Sequence, residues 1–486
     1  SDEPGEPWYV ANRNTLFRRD AGLWTALDWP GLPRILSERI ETLARLPDGS
    51  VAIGTRFGGL YQYSATGELK RHLATALFPG ERITDIEMDA EGGLWLSLDG
   101  GIVRVEADSR YTRFDRELGA GQIERIRRID GHLLVASRLG MKRLEPDPRP
   151  GMPARLQPYG ILRNSAWDFA PTAAGLLVAT GSGIELLSPT GEPLRSVYSG
   201  PRVSAFAEGG DGYWYFLSGR ELRRLRATAA AIEVDPEAVV QVPMFDLHRH
   251  QDALWASIDG GGVFEFSGLE QWPAINIKRF GSEQGIPPGR VTFAEFEGEL
   301  RLMVDGVRQR AGDGFVLDPR FPAGFATTTL APLGEDWIGS ADLLAVLKPD
   351  ASGQLSIDST PLVRYREPNR HLHVDPDGTR WLADNTLFAR VSDWPQPLLP
   401  APPLQMVGIR DGSGHSLRGS AAVDAPTRLE LAATQRSIEV ELAWPSWQSE
   451  RPIRWQQRLA EREEFEDLPG PDARLDLDSA GLHRVE

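Results

Sequence analysis

Along most of its length the chain alternates apolar and polar residues with a period of two, in runs of four to eight residues. "ITDIEMD" (83–89), "IERIRRID" (123–130), "VSAFAEG" (203–209) and "VTFAEFE" (291–297) are examples. Such runs predict half-buried β-strands. Each is followed by a turn signal, often Asp with Gly, as in "LPDGS", "DAEGG", "GGDGY" and "DPDGT". Gly there supplies positive φ, and the Asp side chain bonds the turn's own backbone. A second strand then carries a bulky anchor, and a bend leads into a third and a more variable fourth.

This unit recurs. Anchors fall at Trp8, Ala52, Trp95, Leu134, Leu177, Trp214, Trp255, Arg301, Trp337 and Trp381, at intervals of 36 to 46 residues. A small residue stands two positions beyond seven of them: Gly54, Ser97, Ala136, Ala179, Ser257, Gly339 and Ala383. Residues i and i+2 share a strand face, so a large group in one unit fits over a thin spot beside the next. The unit at Arg301, with Met303, departs from the rule and reads as a degenerate copy. The period is that of β-propeller blades. The expected fold is all-β: a single propeller of about nine blades, with eight to ten, or two unequal rings, left open. The strands at Trp8 are expected to complete the last blade and close the ring. A meandering β-sandwich with chance tryptophans does not explain so regular a spacing.

The repeat stops in the proline-rich "DWPQPLLPAPPL" (393–404), which places a boundary near 398. In residues 399–486, "RSIEVELAWPSW" sets Ile438, Val440, Leu442 and Trp444 on one face and Glu439 and Glu441 on the other. "PIRWQQRLAE" repeats the alternation with Ile453, Trp455 and Leu459. About 85 residues of short strands read as an immunoglobulin-like β-sandwich. The last strand-like run reaches Glu486, so further protein is expected beyond it.

Composition narrows the partners. The 486 residues carry a net charge of −16, which disfavours nucleic acid and anionic membrane surfaces. No apolar run approaches the length of a membrane span, and no signal peptide opens the chain. Cysteine is absent, which excludes thiolate catalysis and cysteine-based metal sites and suits an exported bacterial protein. Only four lysines occur among the 53 basic residues, a bias of the kind a GC-rich genome imposes.

The segments "DAEGGLWLSLDGGIVRV" (89–105), "GSVAIGTRFGGLYQY" (49–63) and "EDWIGS" (335–340) resemble the two-component regulator propeller repeat. The stretch from Ile438 to Glu486 resembles the Y_Y_Y domain that follows such propellers, with Trp455 and Phe465 departing from the family's aromatic pattern. The resemblance implies a periplasmic sensor region of a bacterial receptor. A membrane helix and a histidine kinase or diguanylate cyclase would then follow beyond this chain. It implies no cofactor, no metal and no catalysis by the chain itself.

Propeller loops at one end of the channel are the usual ligand face. The bends after the anchor strands offer Arg56, Phe57, Asp99, Arg138, Arg220, Asp259, Asp305, Asp342 and Asp384 as ligand-binding candidates. Loops into the inner strands add Arg82, Asn164, Arg202, Arg290 and Arg370, and Trp167 joins Phe57 as a stacking surface. A ring of Arg and Asp suits a small polar ligand, a sugar or an organic acid; a protein partner is the alternative. Singly, each is also what a solvated turn carries. The pairs His248/His250 and His371/His373 each place two rings on one side of a strand, and structural histidines lining the channel explain them better than a metal. Asp-turn-Trp segments such as "DPDGTRW" are similar to the Asp-box of sialidases, with a spacing longer by one residue. No nucleophile elbow, zinc-protease, phosphate-loop or dinucleotide fingerprint is present. The expected function is ligand sensing without catalysis, with pairing of two copies through the C-terminal module as one assembly. A periplasmic polysaccharide lyase or hydrolase, and an interaction scaffold, are the competing classes.

Overall fold

The computed structural model describes residues 8–358 apart from breaks at 13, 107–110, 115, 117, 161–164, 323–324, 326, 328, 334–335 and 341–343. Beyond them it describes 371–383, 388–391, 405–418, 421–422, 437–443, 455–457, 466–468 and 472–476. Strands dominate these residues, and Leu32–Ser37 forms the one α-helix among them. Before the C-terminal strands, ten antiparallel sheets are described, one for each anchor segment. Sheets 1, 2 and 3 span 8–26, 40–73 and 83–106. Sheets 4 to 9 span 123–158, 166–199, 203–234, 244–280, 292–317 and 329–358, and sheet 10 spans 371–391. From Ala52 to Trp381, every anchor lies on the second strand of its sheet.

The anchors bind sheet to sheet as their spacing predicts. Trp381 and Ala383 are buried against Ile123, Ile126 and Leu133 of sheet 4. Trp255 is buried among Val291, Leu300 and Leu302 of sheet 8, and the Ser257 hydroxyl donates to the Val291 carbonyl at 2.6 Å. At Gly54 a Cβ would fall 2.7 Å from Ile83 Cγ2 of the next sheet, so nothing larger fits. Trp214 and Trp337 face the other way. Trp214 packs on the core shared with sheet 5, while Tyr215 and Leu217 face sheet 7; Trp337 meets Phe296 of sheet 8 at 4.4 Å. Asp89 to Trp95 and Asp375 to Trp381 are six residues apart, and the same count from Gly209 reaches Tyr215. Tyr215, which donates to Asp211 at 2.8 Å, is therefore the forward-facing residue in that unit.

The Asp of the turn does more than shape it. Asp375 accepts the Trp381 indole N–H at 2.7 Å and the Arg128 guanidinium at 2.7 and 2.5 Å. Arg128 belongs to sheet 4, so this charge pair fastens the last sheet to the first of a ring. The same junction closes in the backbone. Tyr111–Phe114 pairs antiparallel with Phe388–Val391 as the outermost strand of sheet 10, and Phe114 is buried 5.3 Å from Phe388. The inner strand Ile123–Ile129 lies beside His371–Val374.

Sheets 4 to 10 thus form a closed ring of seven, and sheets 1 to 3 stack beside it. The propeller architecture stands, but the expected single ring of about nine blades does not. The closing strand is 111–114, not the strands at Trp8. The cause is local: Phe114 completes the aromatic cluster of Trp381 and Phe388. Among the described residues no sheet consequently packs on sheet 3 as its successor, and Ser97 is exposed. Trp95 instead donates to Asp89 at 3.1 Å, beside Arg104 at 2.7 Å from the same carboxylate.

In the C-terminal region Gln405–Asp411, Ser437–Ala443 and Asp472–Asp476 pair antiparallel in one sheet. Ile438, Val440 and Leu442 share an apolar cluster with Met406 and Ile409, as the alternation predicts. Trp444, Ile453 and Leu459 lie outside the described residues.

Phe114→Ala should lower the unfolding free energy by about 3–5 kcal/mol in a denaturant titration. Arg113→Ala, on the exposed side of the same strand, should stay within about 0.5 kcal/mol.

Candidate functional site at the channel mouth

The inner strands begin with a β-bulge in six sheets. Register shifts fall at Glu41, Thr84, Glu124, Trp167 and Ser204, and across Phe245–Asp246. A bulge re-aims its extra side chain. In the ring it brings Glu124, Trp167, Ser204 and Phe245 to the end of the inner strands where the loops converge. Asp85, Asp168 and Asp246 each accept the backbone N–H of the following residue, at 3.0, 2.8 and 3.0 Å. The carboxylate so satisfies a donor that the bulge removes from the ladder.

Trp167 is the centre of the mouth. The Arg138 guanidinium lies 3.8 Å from its ring centroid and that of Arg202 4.6 Å. Arg138 is ion-paired with Glu124. Two sheets on, the Arg290 guanidinium lies 4.6 Å from the Phe245 centroid. Arg220 donates to the Gln241 carbonyl at 3.1 Å.

Below this rim the channel holds a charged plug. Asp168, fully buried, accepts from the Phe206 N–H at 2.9 Å and from Arg127 at 3.1 Å, with Arg125 at 3.2 Å. Arg125 also reaches to 3.9 Å from Asp246 of sheet 7, spanning the channel. His248 stacks on Phe293 at 5.8 Å, and both His248 and His250 approach Glu295, at 3.8 and 3.3 Å. His373 meets Asp375 at 3.2 Å. Burial pulls His248 and His373 below the ordinary histidine value, against the pull of the carboxylates near them. Among the described residues no group of three or more His, Asp or Glu gathers as a metal ion requires.

The nine candidates from the sequence do not share one rim. Arg138, Arg220, Asp259 and Asp305 lie on ring turns at the mouth end. Arg56, Phe57 and Asp99 belong to sheets 2 and 3, where Arg56 and Arg39 lie 5.5 and 5.8 Å from the exposed Phe57 ring and Asp99 accepts the Arg82 N–H at 3.4 Å. Asp342 and Asp384, like Asn164 and Arg370, lie outside the described residues. Sequence reasoning missed the bulge as a device and the plug beneath it. The signal was available as an x-Asp-apolar triplet early in the inner strand: "TDI", "WDF", "FDL".

A cleft of about 850 Å³ opens at the opposite end of the ring between sheets 7 and 8. Its aromatic floor, Trp255 and Phe315, is buried, and Arg310 is already paired with Glu265 at 3.1 Å.

No family model matches the sequence, and no curated protein matches it at a significant level. The fold has solved counterparts. The extracellular domain assigned to the hybrid two-component system BT3049 of B. thetaiotaomicron is 12% identical, with a TM-score of 0.67 over 99% of this chain and 68% of its own. A second such domain, BT4673 of the same organism, is 13% identical with a TM-score of 0.48, over 99% of this chain and 70% of its own. At 12% identity the likeness to BT3049 is one of fold, and the class the ring of sheets defines is the β-propeller. No helix among the described residues is long and apolar enough to cross a membrane.

His72, half-buried and stacked on Tyr61 at 3.9 Å, is also held below its ordinary value by desolvation. With three histidines resisting protonation, the unfolded chain binds more protons than the folded one once pH drops below about 6.5. Stability should be undiminished well above that pH and decline as pH falls through it toward the lower folded-state values. A thermal melting series checks this, and His248→Gln should flatten the slope.

Proposed function

We propose that this chain is the extracytoplasmic ligand-sensing region of a bacterial signalling receptor, with a histidine kinase or diguanylate cyclase output carried elsewhere in the protein. The observation that carries the reading is the channel mouth, where bulged strands hold Trp167 and Phe245 beneath arginines above a charged plug. We read a site so built as one for binding. Asp168 has both oxygens engaged by backbone N–H groups and arginines, which favours a binding role over a catalytic one for the plug. The fold likeness to an extracellular domain of a two-component system, and the resemblance of the repeats to regulator propellers, support the same class.

Ligand at the mouth would bias how the C-terminal strands pack or pair between two copies, and so the output. A thermal-shift screen of oligosaccharides, amino acids and organic acids should find a compound that stabilises the chain saturably. Small-angle scattering with that compound should show a changed association state or outline. Product formation from the ligand, or an unchanged scattering curve, would overturn the sensing reading.

A further inference from the structure

The loop residue leading into the inner strand is arginine at Arg39, Arg82, Arg202 and Arg290, although the chain as a whole is acidic. Each of the last three sits over the bulge of the preceding sheet, and the three slots differ in one respect. In sheet 2 the bulge residue is Glu41, which takes the Arg82 guanidinium at 2.8 Å and neutralises it. In sheets 5 and 7 the same position is Trp167 and Phe245, on which Arg202 and Arg290 lie at 4.6 Å. An aromatic ring holds a guanidinium in place through its negative face but leaves the charge and the N–H edge unanswered. Among the described residues neither Arg202 nor Arg290 has a carboxylate within ion-pair distance, and both are exposed. Trp167 carries a second cation, Arg138, which does have its acid in Glu124. The mouth thus holds two positioned guanidiniums whose counter-charge the protein replaces with hydrocarbon.

We propose that the mouth binds a carboxylate-bearing small molecule, with Arg202 and Arg290 as its charge contacts and Trp167 and Phe245 as the plates that hold them. The guanidinium fork matches a carboxylate bidentately, and the two guanidiniums lie over the bulges of sheets 5 and 7, so the mouth offers two separate carboxylate contacts. This deepens the sensing reading and rests on it for its use, not for its chemistry.

Isothermal titration of the whole chain with citrate and with trigalacturonate separates a free organic acid from an acidic sugar, and cellotriose serves as the neutral control. One of the two acids should bind saturably, and more weakly at high salt. Arg202→Gln and Arg290→Gln should each cut affinity at least about tenfold. Arg195→Gln, on the exposed outer strand of sheet 5, should leave it unchanged. Both arginines are exposed, so unaltered melting of the variants confirms that they fold. Binding of neither acid, equal binding of cellotriose, or affinity indifferent to both substitutions would overturn the proposal. Cellotriose binding that is lost in Trp167→Ala would overturn the anion site and leave sensing intact. Arginine-dependent acid binding with unchanged scattering would uphold the anion site and overturn sensing.

Discussion

A twisted sheet of four short strands with apolar residues on both faces cannot stay in water alone, because each face needs a neighbour. Everything else in this protein follows from that two-sided demand. It explains why the unit is repeated, why a large anchor is followed by a small residue, and why the seven-sheet ring must close. The stack of sheets 1 to 3 shows the alternative. At its ends Leu23, Trp24 and Ile102 remain largely exposed, whereas in the ring Trp255, Trp381 and Phe388 are buried.

The repeat was legible because its signals are local and recur. The Asp-Gly turn, the alternating inner strand and the anchor with its thin neighbour each leave a mark within ten residues. Where the ring closes was not legible. A strand of four residues, "YTRF", pairs with a segment more than 270 residues away, and no spacing within one unit encodes that choice. The partner is set by tertiary burial of Phe114 and by the Arg128–Asp375 pair. The orientation of Trp214 has a simpler reason: the largest aromatic is not the forward-facing residue of that unit, and the count from the turn selects Tyr215.

For the site, the arginines and Trp167 could be read from loop positions, but their grouping could not. The turns after Arg56 and Asp99 look like those at Arg138 and Arg220, and only the closure assigns them to different bodies. The plug depends on bulges, which move Trp167 and Phe245 out of strict alternation. A pattern with period two misplaces the residues that break it. The Asp after the bulge is the visible trace, since Asp168 and Asp246 stand where an apolar or polar residue alone would serve the ladder.

Closure by Tyr111–Phe114 has a mechanical side. Tyr111 pairs with Val391 and Phe114 with Phe388, so the chain comes into the ring and leaves it at the same end of one strand pair. Tension between the stack ahead of 111 and the C-terminal strands beyond 391 would load the hydrogen bonds one pair at a time, as a zipper is opened, and not all together in shear. The ring's clasp is thus its softest point along that axis, with the Arg128–Asp375 bond as the catch behind it.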